Sequence, residues 1–83
     1  MSNRKEALTA WCAAAVDAAI GKSGLTKVEV SELTGIPYST LNRKLAGKAD
    51  FQFRELLELA DATNTHPAAF TPPPFNARRG AAA

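Results

Sequence analysis

The sequence predicts an all-α fold of five short helices followed by a proline-rich C-terminal tail. Three observations carry that expectation. Apolar residues recur at helical spacing and nowhere alternate as a half-buried strand requires. Two capping boxes, Asn3 with Glu6 and Thr26 with Glu29, each stand just before such a stretch. Glycines and prolines punctuate the stretches, and residues 72–74 are three consecutive prolines.

The first helix is predicted to open near Arg4, where the Asn3 side chain caps it. Leu8, Trp11, Cys12, Ala15, Val16, Ala19 and Ile20 form its buried stripe. Lys22, Ser23 and Gly24 end it, with Gly21 or Gly24 available for the left-handed stop. The Thr26 cap then starts a short helix over Lys27–Thr34, with Val30 and Leu33 pointing inward and Val28 partly covered. Gly35 stands where the chain must turn with positive φ, and Ile36 returns to the core. Pro37 sets φ for the next helix and gives up an amide that would have no helical partner there. The third helix is expected over Tyr38–Leu45, with Leu41 and Leu45 on its inner face and Gly47 closing it.

Residues 50–64 contain a fourth helix with Phe53, Leu56, Leu57, Leu59 and Ala60 on its apolar side. Glu55, Glu58 and Asp61 form its solvated face. Thr65, His66 and Pro67 begin a short fifth element ending near Phe70. From Thr71 onward the chain lacks a periodic face and is expected to be an extended or disordered tail. The division is thus a domain over residues 1–70 and a tail over 71–83.

The bulk numbers fit one small domain. The chain has 83 residues, 46% of them hydrophobic and 7% aromatic, so its core is built mainly from Leu, Val, Ile and Ala. A net charge of +2 says little by itself. Its distribution says more: residues 35–49 hold Arg43, Lys44 and Lys48 and no carboxylate. One cysteine, Cys12, cannot form an intramolecular disulfide, which points to a reducing, intracellular setting. No apolar run approaches the roughly 20 residues that cross a bilayer, and the first residues lack the apolar core of a secretion signal.

Residues 26–60 resemble the Cro/CI-type (XRE-like) helix-turn-helix domain of phage and bacterial repressors. The resemblance rests on the capped Lys27 helix, Gly35 at the turn, Ile36 after it, Leu41 inside the third helix, Gly47 after that helix, and the LLELA of the fourth. The first and fifth helices fit the same compact, lambda-repressor-like plan. Three places depart from it. Leu45 stands where many members carry an acid, and Lys44 where an apolar residue is common. Pro37 also replaces the usual small polar cap.

The resemblance implies sequence-specific binding of double-stranded DNA by a transcriptional repressor. A phage or prophage immunity repressor, or a Cro-like regulator, would occupy an operator and exclude polymerase. The third helix would enter the major groove, where base edges carry a distinct donor and acceptor pattern, while the second crosses the backbone. With Leu41 and Leu45 inward, Tyr38, Ser39, Asn42 and Arg43 form the base-reading set. Arg43 suits guanine, Asn42 adenine, Ser39 either donor or acceptor, and Tyr38 a thymine methyl or a phosphate. Lys27, Thr40, Lys44 and Lys48 form the phosphate set, with the amides that open the Lys27 helix as an anion site. If the chain forms a homodimer, the surface is the region Pro67–Phe70, with Phe75 as an addition; a monomer that binds weakly or pairs only on DNA is the alternative.

Other chemistry has little support. Trp11 and Cys12 fit the core of the first helix, and His66 fits a cap or surface position. A lone Cys and a lone His do not make a zinc site, and no nucleophile, base and orienting group come together. No catalytic residue, metal, cofactor, small-molecule substrate or membrane partner is therefore expected. The basic pairs Arg4–Lys5 and Arg78–Arg79 serve either solubility or an arm reaching phosphates or the minor groove. The rival to DNA reading is an antitoxin-like interaction module of the same fold, docking a partner through the PPPF of the tail.

Overall fold

The computed structural model describes residues 3–73 as four α-helices and one 3-10 turn: α1 (Arg4–Ser23), α2 (Lys27–Thr34), α3 (Tyr38–Leu45), α4 (Phe53–Ala62) and the turn Pro67–Phe70. Among the described residues there is no strand. The fifth element is thus a single 3-10 turn, not an α-helix. Phe75 and the pair Arg78–Arg79 lie outside the described residues, as does most of the tail.

Each helix starts and stops for a local reason. The Asn3 carboxamide accepts the Glu6 amide at 2.8 Å, and Gly24 ends α1 at φ 79°. The Thr26 hydroxyl accepts the Glu29 amide at 3.1 Å, and the Glu29 carboxylate accepts the Thr26 amide at 2.9 Å, which completes the capping box. After α4 the left-handed residue is Asn64, at φ 54°, with the Thr65 amide reaching back to the Ala60 carbonyl at 2.8 Å. His66 caps the 3-10 turn by accepting the Ala68 amide on Nδ1 at 3.0 Å.

The core draws on every element. Val16, Ala19 and Ile20 of α1 meet Val30 of α2, Ile36 of the turn, Leu41 of α3, Leu59 and Ala60 of α4, and Phe70. Leu45, Phe51 and Leu56 pack against this cluster while half-buried. Leu8, Trp11 and Cys12 are also half-buried, so the α1 stripe is fully covered only toward its C-terminal half. The Cys12 thiol donates to the Phe70 carbonyl at 3.7 Å, and burial followed by the charge of Asp50 raises its pKa.

Four expectations about which side chains face inward are corrected. Leu33 is 61% exposed, and Thr34 takes the inner place instead. Thr34 is buried without cost because its hydroxyl donates to the Val30 carbonyl at 2.7 Å. Phe53 and Leu57 face outward, at 74% and 42% exposure, because no element covers that side of α4 among the described residues. Glu55 is buried at 6% exposure, not solvated. Phe70 is buried in the core, whereas Pro67, Ala68 and Ala69 of the same turn stay exposed.

Candidate nucleic-acid interface

The corner between α2 and α3 is held by polar side chains as well as by packing. Gly35 takes φ 77°, a conformation that costs residues with a Cβ but not glycine, and its amide donates to the Ser31 carbonyl at 3.0 Å. The Ser31 hydroxyl donates to the Ile36 carbonyl at 2.6 Å, and the Ile36 amide donates to the Thr34 hydroxyl at 3.3 Å. The turn backbone is therefore paired although Ile36 pulls it into the core. Pro37 caps α3 with no side-chain bond, and its carbonyl accepts the Leu41 amide at 2.8 Å.

Leu41 is fully buried, and this fixes the rotation of α3 about its own axis. With that residue inward, Ser39 and Arg43 are exposed, Tyr38 is half out in solvent, and Asn42 and Thr40 are half-buried. Tyr38, Ser39, Asn42 and Arg43, the residues expected to read bases, are thus exposed or half-exposed on α3. Arg43, Lys27 and Lys48 are exposed and form no salt bridge among the described residues. At the C-terminal end of α3, Gly47 turns at φ 77° and donates to the Lys44 carbonyl at 3.0 Å, while the Lys48 amide donates to the Arg43 carbonyl at 3.2 Å. This double closure holds Lys48 at the foot of the Arg43 face.

Lys44 is placed differently from its expected phosphate role. Its ammonium turns inward and lies 2.6 Å from Glu55 Oε1, with both side chains largely covered. The same oxygen accepts the Gln52 amide at 2.7 Å, so one carboxylate caps α4 and neutralises a lysine of α3. Sequence reasoning missed this pair. Its signal was the joint departure at Lys44, a charge at a place expected to be apolar, with Glu55 at capping-box spacing from Gln52.

The Glu29 carboxylate is drawn onto the Thr26 amide at the start of α2 and adds a negative charge at that end.

Burial pushes the Glu55 carboxyl up. The hydrogen bonds from Lys44 and the Gln52 amide, with the charges of Lys44 and Arg54, outweigh that and leave its pKa below the ordinary 4.5. A carboxyl depressed in the folded state contributes stability above its unfolded pKa and loses it as pH falls through the folded value. Glu55→Gln is therefore expected to cost roughly 1–3 kcal/mol at neutral pH by stranding the Lys44 ammonium. Below about pH 4.5 the cost should shrink, because the wild-type pair is itself being protonated. Urea melts of the two proteins at pH 7 and pH 3 check this, and an equal gap at both pH values would contradict it.

No described helix is long and apolar enough to cross a membrane. A comparison with curated proteins gives no match, and neither does one with solved structures. A family model for the helix-turn-helix matches residues 18–70, which spans the C-terminal end of α1, the α2–turn–α3 unit, α4 and the 3-10 turn. The family it describes is one of DNA-binding transcription regulators. With a left-handed glycine between two capped helices, and the outer side of the second helix open, the chain belongs to the XRE family of helix-turn-helix proteins, the Cro/CI type.

Proposed function

We infer that this chain is a sequence-specific repressor that lays α3 in the major groove of an operator and excludes polymerase by occupying it. The observation that carries this reading is the open outer face of α3, with Arg43 exposed and unpaired among the described residues and Leu41 locked beneath it. Arg43 pairs with guanine, Asn42 with adenine, and Ser39 and Tyr38 contact the bases nearer the start of the helix. Lys48, Lys27 and Thr40 take phosphates and set the register without reading sequence. Lys44 leaves the phosphate set because Glu55 holds its charge.

One such helix makes few base contacts, so two copies on half-sites about one helical turn apart suit tight binding. With Phe70 buried, the surface for a second copy moves to α4 and the adjoining turn. There Phe53 and Leu57 are exposed, and Leu57 shares a shallow groove with His66 and Pro67. The same apolar surface favours the second reading, an interaction module that holds a protein partner, because Phe53 and Leu57 are both exposed one turn apart on α4.

Footprinting the DNA flanking the chain's own gene at two salt concentrations tests the repressor reading. Protection of a defined palindrome supports it. Equal protection of all duplexes, vanishing steeply with salt, would replace it with sequence-independent binding. Lys48→Ala is expected to weaken every duplex by a similar factor and to reduce the salt slope by about 0.9. A change in base preference from that variant would contradict its assigned role.

A further inference from the structure

The Lys44–Glu55 pair lies away from the base-reading face, yet it joins the reading helix to its neighbour. α3 packs its apolar side on α1 and α2. Toward α4 the one polar side-chain link among the described residues is this ion pair, 2.6 Å long and largely screened from water. Lys44 follows Arg43 directly, and Asn42 precedes it, so the link attaches beside the two residues best suited to bidentate base contacts. Glu55 is itself fixed, since the Gln52 amide donates to the same oxygen at 2.7 Å. The other end of α3 is tied to α2 through the Ser31 and Thr34 hydroxyls on Ile36, while Pro37 adds no side-chain cap.

We propose that Glu55, acting through Lys44, is a positioning residue for sequence reading: it sets the tilt at which the C-terminal half of α3 presents Asn42 and Arg43. The inference deepens the operator reading and rests on it. A long flexible lysine free in solvent would give a charge but no orientation. Drawn inward by a capped carboxylate, it becomes a strut between two helices. Its loss should let α3 rock about Leu41, so that contacts needing exact geometry suffer and contacts needing only charge do not. Base pairing by Asn42 and Arg43 is of the first kind, and phosphate attraction by Lys48 is of the second.

The experiment compares the wild-type chain with Glu55→Gln, Lys44→Met and Lys44→Arg on two duplexes. One is a duplex selected by the wild type from a random library, and the other is a scramble of the same composition. Glu55→Gln keeps a side chain able to cap α4, so the fold survives. Glu55→Gln and Lys44→Met should each lose about tenfold on the selected duplex and less than about twofold on the scramble, with an unchanged salt slope. Lys44→Arg should stay close to wild type. Equal losses on both duplexes, or a slope reduced by about 0.9 in Lys44→Met, would overturn the proposal, the latter by showing Lys44 on phosphate. A wild type that selects no sequence would sink the operator reading instead. The strut is then judged on the free protein by amide hydrogen exchange. Glu55→Gln should speed the amides of Tyr38–Leu45 at least about tenfold more than those of α1, and a uniform increase would overturn it.

Discussion

Arg43→Ala is expected to abolish discrimination at one base pair of the operator. A bidentate arginine–guanine contact is worth roughly 1–3 kcal/mol of preference over the wrong base, or about 5- to 150-fold in affinity. The loss should appear on the preferred sequence and leave the other positions of the site as strongly read as before. Binding to a scrambled duplex should weaken as well, but only by the share of one cation. The residue is exposed and unpaired among the described residues, so stability should change by less than about 0.5 kcal/mol. Selecting binding sites from a random library with each protein checks this. An unchanged preferred sequence would remove Arg43 from the reading set.

The largest effect on stability should come from Leu41→Ala. Leu41 is completely buried at the meeting point of α1, α2, α3 and α4. Truncating such a leucine removes its transfer free energy and leaves a cavity, together about 2–5 kcal/mol. A domain of this size has about 5–15 kcal/mol in total, so melting should fall by at least about 10 °C. Leu41 also lies directly beneath the outer face of α3. Operator binding should therefore fall more than the unfolded fraction accounts for, because the helix loses its seat. Leu33→Ala is the matched control. At 61% exposure, Leu33 should change melting by less than about 2 °C, which separates buried from merely apolar positions on the same unit. Comparable losses from the two variants would contradict the packing described.

The helix-turn-helix was legible because its boundaries are written in local chemistry. Thr26 with Glu29 starts α2, Gly35 turns the chain, Pro37 sets up α3, and Gly47 with Lys48 closes it; the observed bounds of α2 and α3 are those the sequence predicts. The resemblance is shared by the family match over residues 18–70. What the pattern left hidden was the choice among side chains of one apolar stripe. Hydrophobicity ranks Leu33 above Thr34, yet Thr34 satisfies its hydroxyl on its own helix and takes the inner position. Phe53 and Leu57 fit the α4 period as well as Leu59 does, and only the arrival of the other helices decides which of them is covered. Glu55 looked like part of a solvated acidic face because its partner comes from α3, eleven residues earlier. The same pairing turns Lys44 inward, which is why it is proposed to leave the phosphate set. Long-range partners of this kind leave no periodic trace.

The central claim is that the outer face of α3 meets the bases. Titrating the isotopically labelled chain with a duplex of operator length, and following backbone amides by NMR, tests it most directly. The largest shifts should fall on Tyr38, Ser39, Asn42 and Arg43, with smaller ones at Lys27 and Lys48. Shifts confined to α4 around Phe53 and Leu57, or none at low ionic strength, would contradict it.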